Sequence, residues 1–133
     1  MDENIQLAKK WVEKANADLL NADNNLNAEN TPYDTVCFHC QQAVEKLLKA
    51  YLIARDKTYP ISHDLLLILE DIKEFDKNAE QLRDSLISLL PYAVEVRYPD
   101  EYFMPSKEDA VEARQTAQQV KEYISAKCPL IFY

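Results

Sequence analysis

The chain contains no glycine among its 133 residues, and this absence constrains the fold more than any residue that is present. Tight β-hairpin turns of types I′ and II′ depend on glycine for positive φ angles, so a hairpin-rich β fold is disfavoured. Walker loops, dinucleotide-binding fingerprints and nucleophile elbows also need glycine where the backbone approaches a ligand or turns sharply. The sequence therefore predicts an all-helical protein and excludes these three kinds of functional loop.

Length and composition are those of one globular domain spanning residues 1–133, with 47% apolar and 29% charged residues. A net charge of −8 repels phosphate polymers at long range, which disfavours generic nucleic-acid coating but allows a local basic site. Three cysteines cannot all pair internally, and the first residues lack the apolar run of a secretory leader. We expect a reducing, cytoplasmic setting and, because no segment approaches 18 consecutive apolar residues, no membrane partner.

Two long amphipathic helices are predicted in the first half of the chain. Apolar residues recur at steps of three and four from Ile5 to Leu26, which places one apolar stripe on the first helix. The second helix spans positions 33–52 and is the most core-like, because its apolar positions cover about half of its circumference. Thr31 and Pro32 are predicted to be its N-cap and its first residue.

Shorter helices and one aromatic loop are predicted in the second half. Ser62 is predicted to cap a short third helix, and a fourth helix covers positions 82–93. Prolines interrupt the chain between residues 95 and 105, where no helix can run undisturbed. Ser106 and Asp109 resemble a capping box that begins the last helix. The fold class predicted from these segments is all-α, an antiparallel up-and-down bundle of four or five helices.

A second stripe on the second helix predicts an interface. Phe38, Gln42, Glu45 and Lys49 recur at steps of four, three and four, and a solvated face does not usually carry a phenylalanine. We predict that this stripe contacts a protein partner, most simply a second copy of the chain, the alternative being that Phe38 packs under a loop. Gln41 falls inside the apolar arc and is expected to form a hydrogen bond with a neighbouring helix.

Three ordered motifs carry a resemblance to a known family. The segment CFHCQQAVEKLLKAYL at positions 37–52 closely resembles the signature helix of the HEPN family. The segment HDLLLIL at positions 63–69 is similar to that family's histidine-led third helix, and RYPD at positions 97–100 is similar to its arginine motif. The match extends from about Trp11 to Ile124, which is nearly the whole chain.

The resemblance implies a bundle that is commonly dimeric and similar to the substrate-binding domain of kanamycin-type nucleotidyltransferases. Standalone members often accompany a separate nucleotidyltransferase subunit. The resemblance therefore implies a homodimer that has such a subunit as its partner and a nucleotide as its ligand, in a toxin–antitoxin-like setting. Another branch cleaves RNA without metal, using an arginine and a later histidine that are separated by four to six intervening residues. After Arg97 the candidate positions hold Tyr102, Phe103 and Met104, so this motif is absent.

The chemistry explains why the missing histidine matters. Metal-free RNA cleavage needs a proton acceptor and donor near neutral pH, and imidazole is the side chain suited to that role. Only His39 and His63 are present to substitute for it. The sequence therefore predicts a non-catalytic binding module, with a ribonuclease that uses Arg97 and an unconventional base as the alternative, and RNA as a less favoured ligand. An interaction bundle with an empty pocket is a third possibility.

Several residues are candidates for a nucleotide or substrate site, and each has a structural alternative. Arg97 presents a planar fork to phosphate or carboxylate, or it hydrogen bonds to the carbonyls that end the fourth helix or pairs with Asp100. Lysines on the second helix face an anion or are simply solvated, and the loop tyrosines stack a base or cover the bundle end. The predicted binding residues are Gln42, Lys46, Lys49, His63, Arg97, Tyr98, Asp100 and Tyr102, and no catalytic residue is predicted.

A metal site or cofactor is not predicted. Cys37 and Cys40 lie three residues apart on a helix, but structural zinc needs four ligands, and the other candidates, His63 and Cys128, are scattered along the chain. Both helical cysteines also fall on the apolar stripe, where a free thiol behaves as a small hydrophobe. No acidic pair stands beside a glycine loop, so any nucleotidyl transfer is expected on a partner chain.

Overall fold

The computed structural model describes residues 2–94 and 104–133, and every regular element within these two ranges is helical. Three short 3-10 segments, Lys77–Leu82, Leu90–Tyr92 and Pro129–Phe132, connect or follow the longer helices. This confirms the predicted all-α class and the bundle of four or five helices. The described residues form five α-helices, α1 (Glu3–Leu26), α2 (Tyr33–Ala54), α3 (Leu65–Lys73), α4 (Arg83–Leu89) and α5 (Lys107–Lys127).

Small residues on α1 let α2 pack closely against it. The two helices are antiparallel, because Asn4 donates to Asp56 across 2.6 Å at one end and Asp18 contacts His39 farther along. The alanines on the buried face keep that face flat, so dispersion contacts form along its length. The buried apolar residues of α1 are Ala8, Val12, Ala15, Leu19 and Ala22, which confirms the predicted stripe.

Helix α2 is the centre of the core, as predicted. Leu47, Leu48 and Tyr51 are at most 1% exposed, and truncating one such leucine to alanine typically costs about 2–5 kcal/mol. The N-cap prediction was wrong by one residue: the helix begins at Tyr33, and the Thr31 hydroxyl donates to a carbonyl of the preceding turn instead of capping. Thr31 is one position too early to reach the free amides of the first turn.

The end of α2 shows how a chain without glycine ends a helix. Asp56 has a φ of 59°, the left-handed conformation that glycine usually supplies. Its amide donates to Ile53 at 3.0 Å and the next amide, of Lys57, donates to Leu52 at 2.9 Å, which is the Schellman pattern. Aspartate adopts this conformation more readily than most residues other than glycine, and here its Oδ1 accepts a hydrogen bond from Asn4 at the start of α1.

Side-chain caps begin the later helices. The N-cap of α3 is Asp64, which accepts from the amide of Leu66 at 3.0 Å, so the prediction of Ser62 as the cap was wrong. Ser62 instead accepts from the Asp64 amide, and the carboxylate is favoured at the cap because it also interacts with the helix dipole. The capping box of Ser106 and Asp109 at the start of α5 is confirmed, with both reciprocal hydrogen bonds present.

The predicted fourth helix is shorter than expected. Its α-helical part covers only Arg83–Leu89, with 3-10 segments on both sides. The α-helix does not continue past Leu89 because Pro91 has no amide hydrogen to extend the α-helical pattern.

Asp76 is buried directly before the first 3-10 segment, and it accepts hydrogen bonds from Tyr51 at 2.9 Å and Tyr123 at 2.7 Å. Burial alone would raise the pKa of Asp76, but the two tyrosine hydroxyls outweigh it and hold that pKa below its ordinary value.

No helix within the described ranges is long and apolar enough to cross a bilayer.

Candidate functional site

A buried carboxylate on α2 organises the candidate site. Glu45 is 4% exposed, and it accepts a hydrogen bond from Lys49, one helical turn later, at 3.0 Å. Its two oxygens also lie 3.0 and 3.1 Å from Nδ1 of His63. The helix brings Glu45 and Lys49 together by their spacing, whereas His63 arrives because the connection between α2 and α3 folds back along α2.

The polar groups around Glu45 fix one edge of the His63 ring. Because a carboxylate only accepts, Nδ1 carries the proton, and Nε2 is the acceptor of the neutral ring. The His63 side chain is 75% exposed, and no described residue hydrogen bonds to Nε2. The Lys49 ammonium is 5.4 Å from the centroid of the Tyr59 ring, so its charge is shared between a carboxylate and an aromatic face. The arrangement holds an accessible imidazole in a fixed orientation.

The predicted interface stripe is only partly at the surface. Glu45 and Lys49 are buried within the chain itself, so Lys49 is neither a solvated lysine nor an open contact residue. Phe38 is half-buried, with its ring edge-on to the ring of His39 at 5.3 Å, and Gln42 is also half-buried. The interface with a second copy stays a prediction, and these two residues are the ones placed to serve it.

Gln41 differs from the prediction made for it. The side chain is fully buried, but its Oε1 accepts from Gln42, the next residue on the same helix, at 2.8 Å. Its Nε2 has no hydrogen-bond partner among the described residues. The expected bond to a neighbouring helix is therefore absent there. An unpaired buried amide of this kind costs about 1–3 kcal/mol.

A second carboxylate, on α1, was missed by the sequence reasoning. Asp18 is 8% exposed, and its oxygens lie 2.9 Å from Nδ1 of His39 and 2.5 Å from Nζ of Lys46. The sequence did indicate a buried charge at this position. Asp18 lies inside the apolar stripe of α1, directly before Leu19, and a charged residue that is buried there needs partners. Each of two buried carboxylates thus holds one histidine and one lysine.

Four of the predicted binding residues lie on one edge of the bundle. Gln42, Lys46 and Lys49 span about 10 Å along α2 at 1.5 Å per residue, and His63 stands beside them. Arg97, Tyr98, Asp100 and Tyr102 lie outside the described residues, so their part in the site stays a prediction.

Two of the cysteines lie in the core of the bundle. Cys37 and Cys40 are fully buried on the core face of α2, and burial raises the pKa of each thiol to about 12. Protonated thiols are poor metal ligands, because the thiolate is the form that binds. Within residues 2–94 and 104–133, no group of three or more histidine, cysteine, aspartate or glutamate side chains is placed to hold a metal ion.

Comparisons with known proteins identify relatives over nearly the full length. A family model described as "HEPN domain" matches residues 8–127. A protein of Methanocaldococcus jannaschii named "Putative toxin MJ1304" is 33% identical over 135 residues, covering 91% of this chain and 88% of that protein. The crystal structure of TT1696 from Thermus thermophilus superimposes with a TM-score of 0.78 at 29% identity, covering 90% of this chain and 97% of that one.

Proposed function

Because the chain belongs to the HEPN domain family, we propose that it is a binding and docking module that holds a nucleotide or a similar anionic substrate without transforming it. The observation that carries this proposal is the fixed, exposed ring of His63 on the buried carboxylate of Glu45. Such a group can donate to or accept from a ligand without losing rotamer freedom on binding. Its contribution to a reaction on another subunit is positioning.

The charges near His63 indicate which residues this proposal assigns to the ligand. Lys49 and Glu45 neutralise each other inside the chain, and Lys46 is paired with Asp18, so neither lysine offers an unpaired charge. The site therefore needs a further cation for an anionic ligand, and Arg97 is the proposed source. In this proposal Tyr98, Asp100 and Tyr102 complete the same edge.

The proposed setting is a two-component, toxin–antitoxin-like system in the cytoplasm. The relative named as a toxin supports the setting, and the free, buried state of all three cysteines supports a reducing compartment. We propose a homodimer through the surface at Phe38 and Gln42, with a separate nucleotidyltransferase subunit as partner. Phe38→Glu should convert the dimer to a monomer in sedimentation analysis, whereas an unchanged dimer mass would reject this surface.

Calorimetric titration of the purified chain with a nucleoside triphosphate tests the binding proposal. His63→Ala and Arg97→Ala should each weaken binding about tenfold or more, which corresponds to about 1.4 kcal/mol. Lys77→Ala, an exposed change on another element, should leave the affinity unchanged. Equal affinity in all four proteins, or no heat of binding in the unaltered chain, would overturn the proposal.

Co-purification tests docking separately. The tagged chain is expressed together with a nucleotidyltransferase from a neighbouring gene, and the proposal expects the two to elute as one complex. If the two proteins elute separately, docking is rejected. The proposal of a ligand would be unaffected, because the calorimetric titration tests it independently.

One observation favours the alternative function of metal-free RNA cleavage. A carboxylate that orients an imidazole through Nδ1 is the arrangement that prepares Nε2 to take a proton. In this alternative, Nε2 of His63 accepts the proton of a ribose 2′-hydroxyl as its oxygen attacks the neighbouring phosphate. The bond from phosphorus to the 5′-oxygen breaks, which leaves a 2′,3′-cyclic phosphate, and the leaving 5′-oxygen takes a proton from water, while Arg97 stabilises the negative charge that develops on the phosphate. RNA cleavage in chelator that disappears in His63→Ala and Arg97→Ala, but not in Lys77→Ala, would establish this function.

A further inference from the structure

A polar cleft between α4 and α5 is separate from the cluster at His63 and Glu45. It encloses about 360 Å³ and is lined by two acidic, three hydroxyl and two amide side chains, all from these two helices. No lysine or arginine of the described ranges lines it. Ligand sites commonly enclose about 300–1,000 Å³, so the cleft has room for one small polar molecule.

The two carboxylates of the cleft are left without a counter-charge by the folded chain. Asp84 belongs to the α4 wall and Glu112 to the α5 wall, and both residues are exposed. Neither side chain forms an ion pair or hydrogen bond with a described residue. The acidic residues on the other side of α4 differ, since Glu70 and Glu80 are both paired with Arg83. Two uncompensated negative charges on facing walls attract a cation.

A buried hydroxyl in the same cleft has no partner. Thr116 is 7% exposed and lines the cleft, and its side chain forms no hydrogen bond with a described residue. Its oxygen is not among the fully enclosed unpaired atoms of the described ranges, so a molecule in the cleft can reach it. The Ser88 hydroxyl already donates to the Ser85 carbonyl at 2.6 Å, which leaves its oxygen to accept. A ligand that donates to Thr116 would satisfy a buried group that folding leaves unpaired.

The acceptors of the cleft discriminate between kinds of cation. In the described part of the chain, no group of three or more histidine, cysteine, aspartate or glutamate side chains is placed to hold a metal ion. A guanidinium pairs best with both oxygens of one carboxylate in one plane, whereas an ammonium donates three hydrogen bonds in different directions. Carboxylate, hydroxyl and amide oxygens on two walls therefore suit ammonium groups.

We propose that this cleft binds a small aliphatic diamine in its doubly protonated form. One ammonium pairs with Asp84, and the other pairs with Glu112 and donates to the Thr116 hydroxyl. The side chain of a lysine on another protein carries the same chemistry but only one ammonium, so it would leave one carboxylate unpaired. The site uses none of the residues assigned to the anionic ligand, so either proposal can fail without the other.

Equilibrium dialysis of the full chain against labelled diaminobutane at low salt tests the proposal. We expect saturable binding to a single site, and binding about tenfold or more weaker for butylamine, which has one ammonium and the same carbon chain. Magnesium chloride at matched ionic strength should not displace the diamine beyond the effect of sodium chloride. A short peptide with two lysines should bind more weakly than the diamine, and tighter binding of the peptide would overturn a free diamine as the ligand.

Matched variants separate the cleft from the general negative charge of the chain. Asp84→Asn/Glu112→Gln should weaken diamine binding about tenfold or more, while Glu13→Gln/Glu29→Gln removes the same charge from other exposed positions and should change the affinity less than about twofold. Thr116→Val should weaken binding about fivefold or more without lowering stability in urea unfolding, since its hydroxyl has no partner in the folded chain.

Far-UV circular dichroism verifies that each variant is folded, and Thr116→Val decides the question if the double variant in the cleft is not. Absence of saturable binding, equal affinity for butylamine and diaminobutane, equal losses in the two acidic pairs, or an unchanged affinity in Thr116→Val would overturn the proposal.

Discussion

Removal of the Glu45 side chain is the perturbation whose cost follows most directly from the structure. In Glu45→Ala the Lys49 ammonium stays in a site where it is 6% exposed, and it loses its carboxylate partner. Breaking one side of a buried pair costs about 3–5 kcal/mol, a large part of the 5–15 kcal/mol that stabilises a typical domain. With an unfolding entropy of about 0.28 kcal/mol per kelvin for 133 residues, the melting temperature should fall by about 11–18 °C.

The double variant Glu45→Leu/Lys49→Met separates a buried charge from a general loss of packing. Replacing both members of a buried pair by apolar residues of similar volume is often neutral or stabilising, so this variant should recover stability to within about 1 kcal/mol of the unaltered chain. Urea unfolding followed by far-UV circular dichroism measures both proteins.

An exposed carboxylate provides the control. Glu70 is 53% exposed and pairs with Lys73 and Arg83 at the surface, so Glu70→Ala should cost less than about 1 kcal/mol. If Glu45→Ala costs no more than this control, or the double variant is no more stable than the single one, the buried ion pair does not organise this edge of the bundle.

Three further predictions concern the rest of the bundle. The pKa of the Asp76 carboxylate is lowered in the folded protein, so Asp76 contributes stability above about pH 4 that is lost as the pH falls. Asp76→Asn should therefore be less stable than the unaltered chain at pH 7, and urea unfolding at decreasing pH should show the difference between the two proteins disappear. Ser106→Ala removes the α5 cap and should cost about 0.5–2 kcal/mol in urea unfolding, whereas a cost near zero would show that the capping box is dispensable. Burial raises the pKa of Cys37, Cys40 and Cys128, so a thiol reagent at pH 8 should label them in urea but not in the folded protein, and rapid labelling without urea would contradict this burial.

The sequence was most informative where periodicity alone decides the outcome. The core faces of α1 and α2 follow the predicted apolar positions, since an apolar stripe at helical spacing has to be covered by another helix. The caps were harder, because several polar residues precede each helix and the choice between Ser62 and Asp64 depends on the path of the connection.

The polar clusters could be predicted only in part. The burial of Lys49 was not predicted. Its ion-pair partner, Glu45, belongs to the same stripe, and the Tyr59 ring that covers it comes from the connection after α2. The contact between His63 and Glu45 spans 18 positions, and no local pattern encodes it. Asp18 was recognisable as a charge inside an apolar stripe, but its partners on α2 depend on the register of two antiparallel helices.

The proposal that this chain holds a ligand and leaves chemistry to a partner is tested most directly by incubating the purified protein alone with end-labelled RNA in excess chelator. The account predicts intact RNA at a molar excess of protein, with no difference between the unaltered chain and Arg97→Ala. RNA fragments that accumulate with turnover, and that vanish in Arg97→Ala and His63→Ala, would contradict it.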